Sequence, residues 1–392
     1  MKIGLVKRTF RLRGGGERQV AYLIEGLLAQ GHQVHLFSQQ PAGGTLGEGV
    51  VWQRVPTVPA PPALRVLSFA FGVRNAIRRA GLTLVQSFDR TLGQQIYRAG
   101  EGVHREWLAR KRPTLPMLAR GWSYMRASDW VVLALEQRMF TETAMIIANS
   151  NRGKEEIIRH YDTPAARIRV IHNGVDTARF RPEVRGRFRE LQRQAWGVPA
   201  EAVVLLLVGS GFHRKGLGLL IEALGELRAQ GISNLRAVVV GKGRTGPYQR
   251  QAERLMVADR VRFEGPRLDV ERCYAGADLF VLPTRYDPFA NACLEAMACG
   301  LPVLTSAANG AAELLQDGVN GGVLKDPPCV EALAARVRGL LPLERRQTLG
   351  EAGYHTAGEH PLSRALDQTL RVYEAALQLP APLRADGGRS TE

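Results

Sequence analysis

Residues 283–306, P-T-R-Y-D-P-F-A-N-A-C-L-E-A-M-A-C-G-L-P-V-L-T-S, constrain the fold of this chain more than any other stretch. The apolar run Leu279 to Leu282 ends at Pro283. A polar loop with Arg285 and Asp287 follows, then a helical segment that starts near Asn291 and carries Glu295. Gly300 stops the helix, as glycine does just past a helix end. Val303 and Leu304 open the next apolar run. Strand, loop, helix, strand is a βαβ unit. It places the loop at the carboxyl edge of a parallel sheet, where open α/β sheets bind ligands. Asp287 precedes the helix and Glu295 sits about two turns into it. The amides of Ala290, Asn291 and Ala292 are expected to lack intrahelical partners and to face the crevice. Carboxylates there would repel a lone phosphate but accept hydrogen bonds from hydroxyls. Amides for an anion beside carboxylates for a polyol describe a nucleotide-sugar site.

The chain has 392 residues, 45% of them hydrophobic. That is enough for two or three domains with substantial cores. A net charge of +16 points to an anionic partner: nucleic acid, a phospholipid surface or a phosphorylated substrate. A genome that favours arginine codons gives the same excess. Cys273, Cys293, Cys299 and Cys329 show no C-x-x-C spacing. They argue against a zinc site or a disulfide framework and fit buried, reduced thiols. The apolar run at the N-terminus is too short for a signal peptide. The longest apolar run, Ala202 to Val208, is far below the roughly 18 residues of a membrane span. A soluble or peripheral cytoplasmic protein is expected.

Lys2 to Val6 reads as a first strand, followed by R-L-R-G-G-G-E-R and a helix with Val20, Leu23, Ile24, Leu27 and Leu28 on one face. With a second strand at Val34 to Phe37, this is a mononucleotide-type half. Gly14, Gly15 and Gly16 let the backbone approach a ligand, and the helix start favours an anion; a plain flexible turn reads equally well. Glu101, between two glycines, falls at the carboxyl end of a strand. Either Glu101 and His104 face a sugar or an acceptor, or an acid in a turn stands beside a helix-capping histidine. In residues 105–130, Trp107, Trp122 and Trp130 are interleaved with Arg105, Arg110, Lys111, Arg112, Arg120 and Arg126. That mixture suits a membrane interface, or a phosphorylated glycolipid gripped by arginine forks, or a solvated basic surface over core tryptophans. No nucleic-acid fold signature accompanies the charge.

A second alternation opens at Val203. Its strand ends at Val208, a tight turn runs over Gly209 to Gly211, and Arg214 and Lys215 stand where the next helix begins. Two cations beside helix amides form an anion hole for a diphosphate. There is no D-x-D pair beside a phosphate loop, so no metal is expected; the cations stabilise the leaving charge instead. Gly241, Gly243 and Gly246 spell G-x-G-x-x-G after a strand, a nominal dinucleotide fingerprint that keeps a nicotinamide oxidoreductase open. Pro247 and Tyr248 fall where close helix packing should begin, which counts against it. Residues 380–392 are expected to form a disordered tail.

D-P-F-A-N-A-C-L-E-A-M-A-C-G-L-P-V resembles the E-x7-E segment of retaining glycosyltransferases of family 4, with Asp287 in place of the first Glu. The H-N-G-V-D run matches that family's turn bordering the nucleotide cleft, which implies a binding role for Asn173 and for Arg179 on pyrophosphate or ribose. In G-S-G-F-H-R-K-G, Arg214 and Lys215 match its pyrophosphate segment, with Gly209 in the turn before them. Lys242 would lie near the base or phosphates, and Arg267 would stack on a uracil. The resemblance implies the α/β GT-B fold: two Rossmann-like, doubly wound domains, residues 1–172 and 173–360, facing a cleft. A helix over 361–379 would cross back to the first domain. It also implies a front-face reaction with retention, Asp287 and Glu295 on sugar and ribose hydroxyls, and Glu101 near the acceptor hydroxyl. S-F-D-R-T and A-G-E-G-V-H-R-E-W add a likeness to the bacterial lipopolysaccharide core glucosyltransferases. That likeness implies UDP-glucose as donor, an α-1,3 linkage to an inner-core heptose, and an anionic glycolipid acceptor. Residues 105–130 would meet the cytoplasmic face of the inner membrane. A transferase of mannose, galactose or N-acetylglucosamine onto another glycolipid is the alternative.

Overall fold

The computed structural model describes residues 1–10, 15–40, 49–58, 60–111 and 127–379. The first lobe is built from β1 (Lys2–Val6), α1 (Gly15–Ala29), β2 (Gln33–Ser38), β3 (Val50–Arg54), α2 (Pro62–Arg79), β4 (Leu84–Ser87), β5 (Ile96–Arg98), α3 (His104–Lys111), α4 (Ala127–Glu142), β6 (Met145–Ala148), α5 (Asn151–Tyr161) and β7 (Ile168–Val170). Its seven strands are all parallel, in the order β3-β2-β1-β4-β5-β6-β7.

The second lobe runs through α6 (Glu183–Trp196), β8 (Val203–Val208), α7 (Leu217–Ala229), β9 (Leu235–Val240), α8 (Gly246–Arg254), β10 (Val261–Gly265), α9 (Val270–Gly276), β11 (Leu279–Leu282), α10 (Asn291–Ala298), β12 (Val303–Ser306), β13 (Gly322–Leu324), α11 (Val330–Gly339) and α12 (Leu343–Gly358). Its sheet is also parallel, ordered β10-β9-β8-β11-β12-β13. Runs such as V-V-L-L-L-V in β8 are apolar on both faces because helices cover both sides of a parallel sheet. In each sheet the strand order reverses beside the first strand, between β1 and β4 and between β8 and β11. Those switch points open crevices at the strands' carboxyl ends.

The last helix, α13 (Leu362–Gln378), leaves the second lobe and packs on the first. Ala365, Val372, Tyr373 and Ala376 share a core with β1 and α1 residues Ile3, Leu5, Leu23 and Ile24. A Cβ at Gly26 would stand 2.3 Å from a Leu366 methyl, so glycine admits that helix. The two chain crossings are joined: the Val175 amide donates to the His360 carbonyl (2.9 Å) and the Leu362 amide to the Val175 carbonyl (3.2 Å).

Further contacts tie the lobes together beside the cleft. The buried Tyr286 hydroxyl accepts from the Val103 amide at 2.9 Å and donates to Glu156 at 2.8 Å. Its ring stacks on Trp107, with centroids 6.3 Å apart. Glu313, from the second lobe, accepts from the Asn151 and Arg152 amides at 2.8 Å each and so caps α5 of the first. Arg110 and Arg152 both reach Asp326.

Boundaries differ from the sequence reading in small ways. The strand expected over Val34–Phe37 spans Gln33–Ser38, and the helix expected over 361–379 spans Leu362–Gln378. Of the Trp/Arg segment, residues 112–126, with Trp122, lie outside the described residues, as do Gly14 and the tail from 380. In its described part the buried Glu106 accepts from Arg110, Arg159 and His160, which offsets the basic charge locally. Cys273, Cys293 and Cys299 are buried as expected. Cys329 is exposed, because it precedes α11 rather than lying inside it, and this corrects the expectation of four buried thiols. Among the described residues no helix is long and apolar enough to cross a membrane.

Candidate active site

The two switch points face each other across a cavity of about 410 Å³. Gly16 and Gln19 of α1, Lys7 after β1, Phe88 after β4, and Arg98, Glu101, Asn149 and Asn173 line it from the first lobe. Gly209, Arg214, Lys215, Asp287, Ala290, Asn291, Ala292 and Glu295 line it from the second. Sequence positions 200 residues and more apart are thus brought to one crevice. A Cβ at Gly16 would meet nothing within 4 Å, so the start of α1 presents bare backbone to the cleft.

The loop between β8 and α7 sets the two cations. A Cβ at Gly209 would stand 2.8 Å from Lys215 Cε, so the lysine stem lies across a bare glycine. Thr284 Oγ1 and the Arg285 amide donate to the Arg214 carbonyl at 2.7 and 2.8 Å, which clamps this loop to the one after β11. Arg214 Nη1 and Lys215 Nζ both donate to Asp287 Oδ2, at 2.6 Å each. Burial alone would raise the Asp287 pKa. The Lys215 and Arg214 charges and hydrogen bonds outweigh that and hold it below the usual carboxylate range.

Asp287 therefore does more than the sequence assigns it. Its Oδ1 accepts from the Phe289 amide at 3.2 Å while Oδ2 holds the two cations. In this structure it fixes the position of the positive charges. Each cation keeps further N–H donors directed elsewhere, since ammonium carries three and guanidinium five.

At the start of α10 one expectation is corrected. The Ala290 amide is not an orphan: it donates to Asn309 Oδ1 at 3.0 Å. Asn309 also accepts from the Ala311 amide and donates to Thr305, so a buried side chain after β12 shapes the helix N-terminus. Nothing in the run A-N-G-A-A-E-L-L marks that role in advance.

Glu295, on α10, accepts from Tyr274 at 2.8 Å. Burial raises its pKa; the Tyr274 hydrogen bond and the Arg18 and Arg179 charges oppose this only in part. A raised folded-state pKa means that the ionised form destabilises the fold. That destabilisation is complete above the folded pKa and fades as pH falls towards the unfolded value, about 4.3. Glu295→Gln should accordingly melt higher than the unsubstituted protein at neutral pH. The gap should close below about pH 4, as measured by thermal melts across a pH series.

Asn173 bridges the lobes, donating to Asn291 Oδ1 at 2.6 Å and accepting from Arg98 at 2.8 Å. Glu101, on the cavity edge, is held by Arg90 at 2.6 Å with its side chain 47% exposed. Burial against the wall raises its pKa, but Arg90, Lys7 and Arg8 bring it below the ordinary value. Glu101 also lines a second cavity of about 380 Å³ that adjoins the first and holds His104, Arg90, Trp107 and Tyr286. His104 Nε2 is 3.1 Å from Asp129 Oδ1, and its amide donates to the buried Glu136.

Three residues named from the sequence do not line either cavity. Arg179 is paired with Glu271. Arg267 is bound bidentate to Asp269, both contacts 2.8 Å, and also reaches Glu264. Lys242 is exposed in a turn whose amide donates to Ser210 Oγ. Gly15 is the first residue of α1. The G-x-G-x-x-G loop follows β9, one strand away from the switch point, and the nearby Glu264 is occupied by Arg262 and Arg267. That placement does not suit a dinucleotide fold's first turn.

Two family models match the chain: Glycosyltransferase Family 4 over residues 13–179 and Glycosyl transferases group 1 over residues 188–356. The lipopolysaccharide glucosyltransferase WaaG of Escherichia coli is 28% identical over 328 residues, covering 84% of this chain and 86% of the relative. D-inositol 3-phosphate glycosyltransferase 2 of Catenulispora acidiphila is 30% identical over 299 residues, 69% of this chain and 68% of the relative. The solved structure of WaaG superposes with a TM-score of 0.82 at 26% identity, over 94% of this chain and 99% of that one. Anabaena HepE, solved with UDP and glucose, has the same fold, with a TM-score of 0.74 at 20% identity over 96% of this chain and 100% of that one. With each lobe matched by its own family model and the two-sheet architecture shared throughout, the chain belongs to the family 4 glycosyltransferases of the GT-B fold.

Proposed function

We propose that this glycosyltransferase moves glucose from UDP-glucose, with retention, onto a heptose of the lipopolysaccharide inner core in an α-1,3 linkage. The observation that carries the reading is the meeting of Arg214, Lys215, Asp287 and Glu295 in one cleft at the switch points of both sheets. The relative named a lipopolysaccharide glucosyltransferase and the neighbour solved with UDP-glucose support the donor and acceptor.

The donor diphosphate would lie between the Arg214 and Lys215 charges and the amides at the start of α10. Negative charge grows on the β-phosphate as the sugar leaves, and prepositioned cations lower that barrier without reorganising. Asp287 holds those cations in place before the donor arrives. Glu295 accepts hydrogen bonds from ribose or sugar hydroxyls. The acceptor hydroxyl would enter from the second cavity, past Glu101 and His104, and attack the face that the phosphate leaves. These residues orient the reactants, which by itself removes much of the entropic barrier. The charge stabilisation needs no divalent ion in this scheme. The basic and Trp-bearing segment 105–130 would approach an anionic membrane surface on the cytoplasmic side.

A second reading follows from relatives named D-inositol 3-phosphate glycosyltransferases. There the acceptor is a small phosphorylated polyol instead of a glycolipid. Donors carrying mannose, galactose or N-acetylglucosamine remain the alternatives for the transferred sugar. One experiment separates these: incubate the protein, after exhaustive chelation, with each UDP-sugar and either heptose-bearing core oligosaccharide or inositol phosphate. NMR of the product reads both the sugar and the anomer. The proposal expects an α-glucosylated heptose in chelator. Transfer to inositol phosphate alone, or activity restored only by magnesium, contradicts it.

A further inference from the structure

Among the described residues, the cations lining the main cleft are Lys7, Arg98, Arg214 and Lys215. Three have a carboxylate partner: Lys7 with Asp89, and Arg214 and Lys215 with Asp287. Arg98 has none among the described residues. It is only 7% exposed, at the carboxyl end of β5. It donates to neutral oxygens, Asn173 Oδ1 at 2.8 Å and the Ile171 carbonyl at 3.4 Å. Burial accordingly pushes its pKa down to about 10, opposed by the Tyr373 hydroxyl.

A buried charge without a counter-ion is costly to the fold. The other buried arginines are arranged differently. Arg193 meets Asp278, and the half-buried Arg90 meets Glu136 and Glu101. Arg346 lies outside the cleft and donates to the Leu340 and Leu341 carbonyls just beyond the end of α11. Among the described residues, Arg98 alone combines burial, no acid and a position on the ligand cavity. One amide separates it from the second lobe, since Asn173 accepts from Arg98 and donates to Asn291 at the first turn of α10. That turn is where helix amides favour an anion.

We propose that Arg98 is a third cation for the donor diphosphate, supplied by the first lobe opposite Arg214 and Lys215. This rests on the nucleotide-sugar reading of the cleft. The bound diphosphate supplies the counter-charge that the protein omits, so donor binding draws both lobes onto one anion. No stretch of the sequence around I-Y-R-A signals the role, because the cleft forms only when β5 and α10 come together.

The test is Arg98→Met, an apolar side chain of similar length, with Arg98→Lys beside it. Three quantities are read: melting temperature without ligand, affinity for UDP by calorimetry, and affinity for uridine. Loss of one charge-assisted contact should weaken UDP binding about 10- to 100-fold. Uridine affinity should stay within about twofold, and Arg98→Lys should recover part of the UDP loss. The ligand-free melting temperature of Arg98→Met should hold or rise, since an unpaired buried charge has been removed. If Arg98 merely holds Asn173, the melting temperature falls, UDP and uridine weaken together and Asn173→Ala reproduces the effect; that result overturns the assignment. Equal UDP affinity in both proteins overturns it too. Should Arg98→Met not fold, the charge-free Arg98→Gln takes its place, and unweakened UDP binding there overturns the assignment. A failure of the unsubstituted protein to bind any nucleoside diphosphate is a different outcome, because it overturns the reading of the cleft itself.

Discussion

Lys215→Ala should lower kcat by about 10²- to 10³-fold, the usual cost of removing one donor aimed at charge that develops in the transition state. Lys215 is buried, its stem crosses Gly209, and its ammonium points at Asp287 Oδ2 on the cavity wall. Arg214 still holds the same oxygen in the variant. The fold should therefore lose less than the about 3–5 kcal/mol incurred when a buried ion is left with no partner. The loss should depend on pH. Although burial pushes the Asp287 pKa up, Lys215 and Arg214 hold it down. A depressed carboxylate pKa contributes stability above the unfolded value of about 3.9, and that contribution fades as pH falls through the folded value. The Lys215→Ala variant should show a smaller fade. Single-turnover kinetics and melts between pH 3 and 7 measure both effects. Turnover near that of the unsubstituted protein would remove Lys215 from the mechanism.

The second large effect is expected at Gly216, next in the chain. Its φ is +77°, and a Cβ would lie 1.9 Å from the Pro283 carbonyl oxygen. No side chain can move to relieve that contact, because the obstacle is backbone at the end of β11. Gly216→Ala must force apart the two loops that carry Arg214 and Asp287. A loss of about 3–5 kcal/mol is expected, from left-handed strain together with the clash. Gly197 is the control. It also has a positive φ, +62°, but a Cβ there meets nothing within 4 Å. Gly197→Ala should cost only about 1–2 kcal/mol and leave turnover unchanged. Equal losses at the two positions, read from denaturant midpoints, would show that backbone strain alone matters and that the clamp does not.

These cases also show what the sequence makes legible. Arg214, Lys215, Asp287 and Glu295 lie in two continuous stretches, each a strand followed by a turn and a helix start. Local spacing is enough to place them at a sheet's carboxyl edge. The parallel sheets follow from apolar runs such as β8 and β11. The bridge from Asn173 to Asn291 joins residues 118 apart, and that from Val103 to Tyr286 joins residues 183 apart. No spacing rule reaches across two lobes. Arg98 and Asn309 were missed for the same reason, since each acquires its role only from the partner the fold brings. Arg267 errs the other way. Asp269 and Glu264 lie within three residues of it and bind it locally, so its charge is already satisfied on the surface of its own lobe.

Two groups in the cleft lack full charge compensation. Glu295 carries a raised pKa from burial, and Arg98 lacks a counter-ion. Both are unfavourable to the ligand-free fold. Such costs are retained at binding sites because a ligand relieves them.

The most direct measurement is a titration of UDP-glucose, with UDP and uridine alongside, into the unsubstituted protein and the Lys215→Ala variant, followed by thermal melts. The account predicts that UDP-glucose at 100 times its Kd stabilises the unsubstituted protein by roughly 2.7 kcal/mol, and that Lys215→Ala loses most of this while uridine binds both alike. No stabilisation by any nucleoside-diphosphate sugar, or an equal shift in both proteins, would contradict it.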